Sequence, residues 1–360
     1  MKLIYRYVLK KCFFNTFLLL FAFAIIYSVI QAIQELGSVG KGSYTTLSMF
    51  IYLGALLPSY IYLLIPLSVL IGVMTTLLGL VKNSEYAIMR TSGMSLHTIT
   101  KIISIFGCIF AVITFSLGEL IAPQATSFAN TYKLNKTEQQ SSKKLISGIW
   151  SKDSESKIIN IGSIDEHNAN NINNVQIFHY NKKQELISRT HADSATYQPN
   201  QKIWLLQNVT IYRYSLDQIK VENIPTHEWK SSIDPSYFRV LIASPDEMPA
   251  ISLVKYTEHL KKNKESTNRY KIAMWNKFLY PIACISMAFI AIGFIPNNGR
   301  NINLSTKLFS GILIGVAFFF TNKLVAYTAA LYEWDPILSA SIPTIVLFII
   351  GFVVIAKKES

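Results

Sequence analysis

The chain contains few cysteines and none of the sequence patterns of a hydrolytic or metal-dependent enzyme. Three cysteines occur in 360 residues, at Cys12, Cys108 and Cys284, and all lie in or beside apolar runs. They therefore cannot form a disulfide framework in a soluble domain. The six histidines lack metal-ligand spacing, and neither Gly-x-Ser-x-Gly nor His-Glu-x-x-His is present. Since paired carboxylates and an activated nucleophile are also missing, we expect no catalytic site, no metal site and no cofactor in this chain.

Acidic residues are also scarce, and the basic excess lies beside the apolar segments. Lys and Arg outnumber Asp and Glu by 34 to 21, which gives a net charge of +13. Residues 130–250 hold 14 basic and 13 acidic side chains, so the excess lies elsewhere. Basic clusters beside membrane spans act as topology signals and lipid contacts. Because the chain lacks a basic face interleaved with aromatic side chains, we expect no nucleic-acid binding.

Long apolar runs are the main positive feature of the sequence. Apolar residues make up 51% of the chain and charged residues only 15%. A helix needs about 20 apolar residues to cross a bilayer, and six stretches qualify: 12–33, 58–81, 101–122, 274–295, 306–326 and 337–356. Because the uncharged tract from Gly42 to Val81 is longer than one span requires, residues 44–56 are predicted to form a separate helix along the outer interface. Pro58 and Pro66 also lie within this tract. The pattern predicts a polytopic α-helical membrane protein with six transmembrane helices in two groups of three.

The positions of basic residues near the span ends predict the orientation of the chain. Lysines and arginines cluster at four places: near the N-terminus, between the second and third spans, between the fourth and fifth spans, and at the C-terminus. If the spans alternate in direction, all four places fall on the same side of the membrane. That side is cytoplasmic by the positive-inside rule. Both termini are then cytoplasmic, and the long segment 123–270 lies outside the cytoplasm.

The outer segment changes from helical to strand-like patterning. Short β-branched and aromatic runs alternate with Asn-, Ser- and Lys-rich turns, one of them at Gln207 and Asn208. The predicted strands are 175–180, 186–190, 192–197, 203–206 and 209–214. Repeated short strands predict an all-β sandwich or open barrel. Residues 250–265 are predicted to form a short amphipathic helix that leads into the fourth span.

The loop between the second and third spans carries a helical signal of its own. Residues 83–93 (NSEYAIMRTSG) begin with cap-forming residues and end in Gly93. They predict a two-turn helix on which Glu85 and Met89 share a face. One interpretation is a solvated turn, and the other is a docking element for a cytoplasmic partner.

Several polar residues lie close to membrane depth, where they are costly. Glu119, Asn322 and Lys323 fall near the outer ends of their spans, and taken alone they favour simple snorkelling to the interface. A basic belt precedes and enters the fourth span: Lys255, Lys261, Lys262, Lys264, Arg269, Lys271 and Lys277. Such a belt suits a strongly anionic lipid outside the cytoplasm.

Four stretches, in this order and spacing, resemble the LptF/LptG permease family. They are residues 83–93 (NSEYAIMRTSG), 118–124 (GELIAPQ), 148–153 (GIWSKD) and 269–275 (RYKIAMW). The second and third stretches favour the LptG branch, and the resemblance covers essentially the whole chain. It implies an inner-membrane permease half that pairs with an LptF-like permease, binds an LptB-like ATPase dimer and works with an LptC-like protein. Lipopolysaccharide is the implied cargo, and ATP and Mg²⁺ would be bound by the ATPase alone.

The resemblance also implies roles for particular residues. The helix between the second and third spans would be the coupling helix, about residues 84–92, with Glu85, Tyr86, Met89 and Arg90 contacting the ATPase. Where the family places lysines at the outer end of the first span, this chain has Gln31, Gln34, Gly37 and Ser38. The implied contacts to the lipid headgroup are therefore Lys41, Lys133, Arg269, Lys271 and Lys323.

The predicted organisation follows from these assignments. Residues 1–125 form spans one to three with the coupling helix, 126–250 a periplasmic β-jellyroll domain, and 251–360 the connecting helix with spans four to six. The predicted function is extraction of lipopolysaccharide from the outer leaflet and its transfer to a periplasmic β-jellyroll relay. The alternative is a mechanotransmission-type ABC permease that acts on periplasmic proteins or lipoproteins, a class that usually has four spans. A membrane enzyme acting on lipid is disfavoured because no catalytic constellation is present.

Overall fold

The computed structural model of the protein describes residues 2–137, 149–154, 156–164, 170–181, 183–199, 201–215, 218–231, 233, 235, 245–262, 266–296 and 303–359. Gly148 of the third motif and Lys264 of the basic belt lie outside the described residues. The α-helices within these ranges are α1 Lys2–Glu35, α2 Thr46–Lys82, α3 Glu85–Thr91, α4 Leu96–Ser116, α5 Ala122–Lys136, α6 Ala250–Lys262, α7 Asn268–Gly293, α8 Leu304–Leu331 and α9 Pro336–Glu359. A π-helical turn, Leu117–Ile121, joins α4 to α5.

Within the described ranges, six helical segments are long and apolar enough to cross a membrane, which confirms the predicted number. They are Leu3–Ser38, Thr46–Lys82, Leu96–Lys133, Asn268–Gly293, Leu304–Leu331 and Pro336–Lys358. Three precede the β-sheet in the chain and three follow it. The predicted amphipathic helix before the fourth span is also present, as α6.

The prediction of a separate interfacial helix at residues 44–56 is wrong. Helix α2 runs without a break from Thr46 to Lys82 and contains both Pro58 and Pro66. A proline removes one backbone hydrogen bond, but neighbouring helices and side chains in a membrane bundle compensate for the loss. The helix begins where the Thr45 hydroxyl accepts a hydrogen bond from the Ser48 amide.

Helix α2 is the central helix of the bundle. In its most apolar window 72% of the residues are buried, against 17% for the corresponding windows of α1 and α8. Close approach of neighbouring helices depends on small residues. A Cβ atom at Gly72 would lie 2.2 Å from the Thr16 hydroxyl of α1, and one at Gly107 would lie 3.2 Å from the Ile285 backbone of α7. Glycines therefore set the spacing at the α1–α2 and α4–α7 crossings.

The described strands form one antiparallel sheet whose spatial order follows the chain. They are β1 Ile149–Ser154, β2 Lys157–Ile164, β3 Asn171–Tyr180, β4 Leu186–Gln198, β5 Ile203–Tyr214 and β6 Ile219–Trp229. Strand β4 joins two predicted strands, 186–190 and 192–197, and β5 joins 203–206 and 209–214. Strands β1, β2 and β6 were not predicted, since their apolar residues are interrupted by charged and polar ones.

A line of irregular residues crosses the sheet, and on β5 it coincides with the turn predicted at Gln207 and Asn208. The register places Gly162, Asn174, Asp193, Asn208 and Pro225 opposite one another on β2 to β6. Two of them have left-handed backbone conformations, with φ +52° at both Asn174 and Asn208. The strand pairing continues on either side of this line without a change of register. We call this line the crease.

The crease interrupts the normal alternation of buried and exposed side chains along the strands. In β3 the exposed Asn173 and Asn174 lie between the buried Ile172 and Val175. In β5 Gln207 and Asn208 lie in the same way between two buried residues. A flat strand would turn one of two successive residues inward, whereas the left-handed residue allows both to face outward. The polar pairs in the sequence therefore mark a bend within long strands, and the predicted turn at residues 207 and 208 is wrong.

Replacing Asn208 with valine tests the backbone requirement at the crease. A β-branched residue is disfavoured at φ +52°, so we expect Asn208→Val to destabilise the sheet by about 1–2 kcal/mol. The Asn208 amide donates a hydrogen bond to Asp193 Oδ2 at 3.1 Å, and both substitutions remove it. Asn208→Gly accepts the backbone conformation, however, and is expected to be close to neutral. Thermal unfolding of the full chain in detergent measures both. Equal destabilisation by the two substitutions would assign the effect to the lost side-chain bond instead.

The sheet curls so that the end of β6 reaches β1. The Trp229 indole donates a hydrogen bond to Asp153 Oδ2 at 3.2 Å, and the Ser231 hydroxyl donates to Asp153 Oδ1 at 2.6 Å. The apolar face of the sheet forms one buried cluster with Leu253 and Tyr256 of α6. The third sequence motif therefore contributes a structural acid, Asp153, that links the two edges of the sheet.

Candidate functional site

The candidate residues lie at opposite ends of the helical bundle. With six alternating spans, both termini and α3 lie at one end, which we call the termini end. The sheet is inserted after the third span and lies at the other end, which we call the sheet end. The predicted coupling residues belong to the first end, and the predicted headgroup residues belong to the second.

Helix α3 forms as predicted and presents two different faces. It runs from Glu85 to Thr91, preceded by Ser84 in a left-handed conformation and followed by Gly93 at φ +88°. Tyr86 and Met89 pack against the helical core. The opposite face exposes Ile88, whose side chain is 64% accessible. Two of the predicted coupling residues, Tyr86 and Met89, therefore point inward. Arg90 has an exposed side chain, and its guanidinium donates a hydrogen bond to the Met94 carbonyl.

Glu85 is tied to the first span. Its carboxylate accepts a hydrogen bond from the Tyr7 hydroxyl at 2.7 Å and forms an ion pair with Lys11 at 3.0 Å. The Tyr7 hydrogen bond, followed by the Lys11 hydrogen bond, lowers the pKa of Glu85. Because this pKa is lowered, the Glu85 carboxylate is charged and holds Tyr7 and Lys11 at neutral pH. The contact is lost only as the pH falls through the pKa of Glu85. Sequence reasoning missed Tyr7 and Lys11, because the contact joins residues more than 70 positions apart.

At the sheet end, the predicted headgroup residue Lys133 is already paired. Its ammonium lies 2.7 Å from Glu35 Oε1 and 5.1 Å from the ring centroid of Tyr52. The two charged side chains are 28% and 12% exposed. Burial and the neighbouring Glu35 carboxylate raise the pKa of the Tyr44 hydroxyl well above its ordinary value. The last helical residue of α1 is thus joined to α5 beside the start of α2.

The other predicted headgroup residues divide into one paired and three without an ion pair to another described side chain. Lys323 of α8 lies 2.5 Å from Asp246, in the short turn Pro245–Glu247 before α6. Lys41 and Arg269 are exposed, and Lys271 is half-buried in the first turn of α7. The structure therefore does not gather the five basic residues into a single cluster.

Sequence reasoning missed two hydrogen bonds near the π-helical turn, made by Lys277 and Glu119. Lys277, expected to belong to the exposed basic belt, is only 7% exposed and donates a hydrogen bond to the Gly118 carbonyl at 2.9 Å. Glu119 accepts the Ala250 amide at 2.8 Å, where α6 begins. A π turn frees backbone groups from the regular helical pattern, and Lys277 satisfies one of them. The second sequence motif thus joins the third span to α6 and α7, which snorkelling alone does not explain.

Two spans leave wide apolar faces exposed in the part of the chain that the structure describes. Helix α1 exposes Phe14, Phe17 and Phe21 along one side, at 52% or more. Helix α8 similarly exposes Phe309 and Phe320, at 60% and 66%. These faces suit contact with lipid or with another membrane subunit.

Comparison with known proteins agrees with this architecture. Two curated relatives carry the name lipopolysaccharide export system permease protein LptG. The protein from Haemophilus influenzae is 24% identical over 354 residues, and the one from Escherichia coli K12 is 24% identical over 356 residues. Each alignment covers 98% of both chains. A family model described as lipopolysaccharide export system permease LptF/LptG matches residues 6–357. The chain therefore belongs to the LptF/LptG family of lipopolysaccharide export system permeases.

Proposed function

We propose that this chain is the LptG-type permease subunit of an ATP-driven transporter that extracts lipopolysaccharide from the outer leaflet of the inner membrane. The observation that carries the proposal is the match to the family over residues 6–357. The six candidate spans and the inserted sheet are consistent with it. The mechanotransmission alternative is not favoured, because that class usually has four spans.

The chain would act by binding and movement, while a separate ATPase dimer hydrolyses ATP. The termini end would be cytoplasmic, as the basic residues near the span ends predict. The ATPase would bind the exposed side chains of α3, among them Ile88 and Arg90. Because Glu85 contacts Tyr7 and Lys11, movement of α3 would be passed directly to the first span.

An LptF-like permease would cover the exposed faces of α1 and α8. These two spans have the least buried apolar windows, at 17% each, so they are best placed to line a cavity between two permeases. Closure of that cavity would push the lipid towards the sheet end. Apolar walls would hold the acyl chains by exclusion from water.

The basic residues at the sheet end would contact the lipid's phosphate groups. Lys41, Arg269 and Lys271 are accessible, whereas Lys133 and Lys323 would first exchange their carboxylate partners. Hydrogen bonds to charged groups contribute on the order of 1.5–3 kcal/mol each. The sheet would form the periplasmic β-jellyroll domain and, with an LptC-like protein, receive the lipid.

Reconstitution of the complex tests the proposed function. The chain, an LptF-like permease and the ATPase are placed in proteoliposomes with lipopolysaccharide, and lipid release to a soluble β-jellyroll acceptor is measured. We expect release that depends on ATP and on this chain. Omission of the chain is the matched control. Equal release without ATP, or without this chain, would contradict the proposal.

A second experiment tests the headgroup contacts. Lys133→Ala and Lys323→Ala together should lower photo-crosslinking of lipopolysaccharide to the complex about tenfold, since two charge-assisted contacts are lost. Lys202→Ala, an exposed lysine beside the start of β5, serves as the control. An unchanged yield in the double variant would mean that both lysines serve only the internal ion pairs.

A further inference from the structure

Glu35 and Lys133 form a partly buried ion pair at the sheet end. The pair joins the end of α1 to α5, residues 98 positions apart in the chain, through Nζ–O distances of 2.7 and 2.8 Å. Glu35 is a single acid at the end of a long apolar helix, and its side chain is only 12% exposed. Placing a carboxylate there is costly unless a cation accompanies it.

The surroundings hold both side chains in place. Lys133 also lies over the Tyr52 ring, and Tyr44, which is 1% exposed, lies close enough to Glu35 for that carboxylate to raise the pKa of its hydroxyl. Ser43 anchors the intervening loop, since its amide and its hydroxyl both donate to the Lys136 carbonyl, at 2.8 and 3.1 Å. The lysine is therefore presented in one position, with a carboxylate in the place that an external anion would take.

We infer that Glu35 is an internal competitor for the phosphate group of the lipid: it holds Lys133 when no lipid is bound, and the phosphate displaces it. The inference rests on the proposed function. A carboxylate and a phosphate monoester bind an ammonium through the same charge-assisted contacts. Two anions held against one ammonium repel each other, so the phosphate and Glu35 compete for Lys133. Return of Glu35 to Lys133 would then favour release of the lipid.

A second ion pair at the sheet end has the same form. Lys323, the other predicted headgroup residue with a carboxylate partner among the described side chains, lies 2.5 Å from Asp246. Both members of that pair are more exposed, at 40% and 57%, so water and salt screen it more strongly. The competition is therefore expected to be stronger at Glu35 than at Asp246.

A lipid titration tests the inference. The complete permease–ATPase complex is placed in nanodiscs, and the apparent Kd for fluorescent lipopolysaccharide is measured with its phosphates intact and after phosphatase treatment. We expect Glu35→Gln to lower the Kd about five- to tenfold for the phosphorylated lipid only, equivalent to about 1–1.4 kcal/mol. Glu35→Asp, which withdraws the carboxylate by one methylene, should fall between the wild type and Glu35→Gln.

The double variant separates competition from a structural role. In a Lys133→Gln background, Glu35→Gln should no longer tighten binding, because the contested cation is gone. Glu222→Gln, which removes an acid from the exposed Arg213 pair of the sheet, is the matched control and should leave the Kd unchanged.

Three results of this titration would contradict the inference or the proposed function, and each can be told from the others. Weaker or unchanged binding by Glu35→Gln and Glu35→Asp, while the wild type still prefers the phosphorylated lipid, would overturn the competition alone. A wild-type complex that binds neither form of the lipid would overturn the proposed function. Inorganic phosphate that displaces the lipid at equal phosphate concentration would identify a site for the free anion and overturn the assignment to a lipid headgroup.

Discussion

Replacing Ile88 with aspartate should lower co-purification of the ATPase subunit with the permease by about tenfold or more, equivalent to at least about 1.4 kcal/mol of binding. Ile88 is the large apolar residue on the exposed face of α3, and its side chain is 64% accessible. Burial of such a side chain by a partner contributes about 1.5–3 kcal/mol. Aspartate would lose that contribution and place a charge in the contact.

The experiment compares ATPase recovered per permease after purification of the co-expressed complex. Val221→Asp is the matched control, because Val221 is 56% exposed on β6 at the sheet end. Ile88→Leu keeps an apolar side chain and should retain most of the ATPase. Full recovery with Ile88→Asp would show that the ATPase does not bind this face.

Reversing the charge at Glu85 should have the second large effect. Glu85→Lys replaces an ion pair at 3.0 Å with two lysines in contact and also loses the carboxylate that accepts the Tyr7 hydroxyl. We expect lipopolysaccharide release per ATP hydrolysed to fall about tenfold, since α3 would move without carrying the first span. The measurement is lipid release and ATP hydrolysis in the same proteoliposomes.

A charge exchange distinguishes the tie to α1 from direct contact with the ATPase. Glu85→Lys combined with Lys11→Glu restores an ion pair of opposite polarity between α3 and α1. Partial recovery of coupled release is expected if the tie carries the movement. No recovery, together with loss of the ATPase from the complex, would assign Glu85 to the ATPase contact. Lys10→Glu, on a neighbouring position of α1, is the control for charge alone.

The membrane spans could be predicted because their signal is summed over many residues. About 20 consecutive apolar side chains identify a span regardless of which helices surround it. Local exceptions are harder, since tertiary contacts decide them. Pro58 and Pro66 are breakers in an isolated helix, yet α2 continues through both because the bundle compensates for the missing hydrogen bonds.

The strands show a different limit of sequence reasoning. Polar pairs such as Gln207 and Asn208 are typical of turns, and within one strand nothing distinguishes a turn from a bend. The distinction lies in the neighbours: the same position on β3 holds Asn174 with the same left-handed φ of +52°. Only alignment of the strands by register brings these residues onto one line.

The coupling helix of the candidate site could be predicted from the sequence, but the ion pairs of the predicted headgroup lysines could not. The two-turn helix at residues 85–91 could be expected from its caps and its terminal glycine. The pairing of Lys133 with Glu35 and of Lys323 with Asp246 could not be expected, since the partners are 98 and 77 positions apart in the chain. Long-range pairing of single charges leaves no periodic pattern in a sequence.

The unbroken course of α2 has a mechanical consequence. At 1.5 Å per residue, its 37 residues make a rod about 55 Å long. One end leads through two residues into α3, and the other carries Tyr52 beneath the Lys133 ammonium. A helix hinged at the prolines would absorb a push at one end by bending. On the proposed function, a helix that does not hinge would instead pass the push on as a tilt. A small displacement where α2 meets α3 would then become a change of spacing around Lys133 at the sheet end.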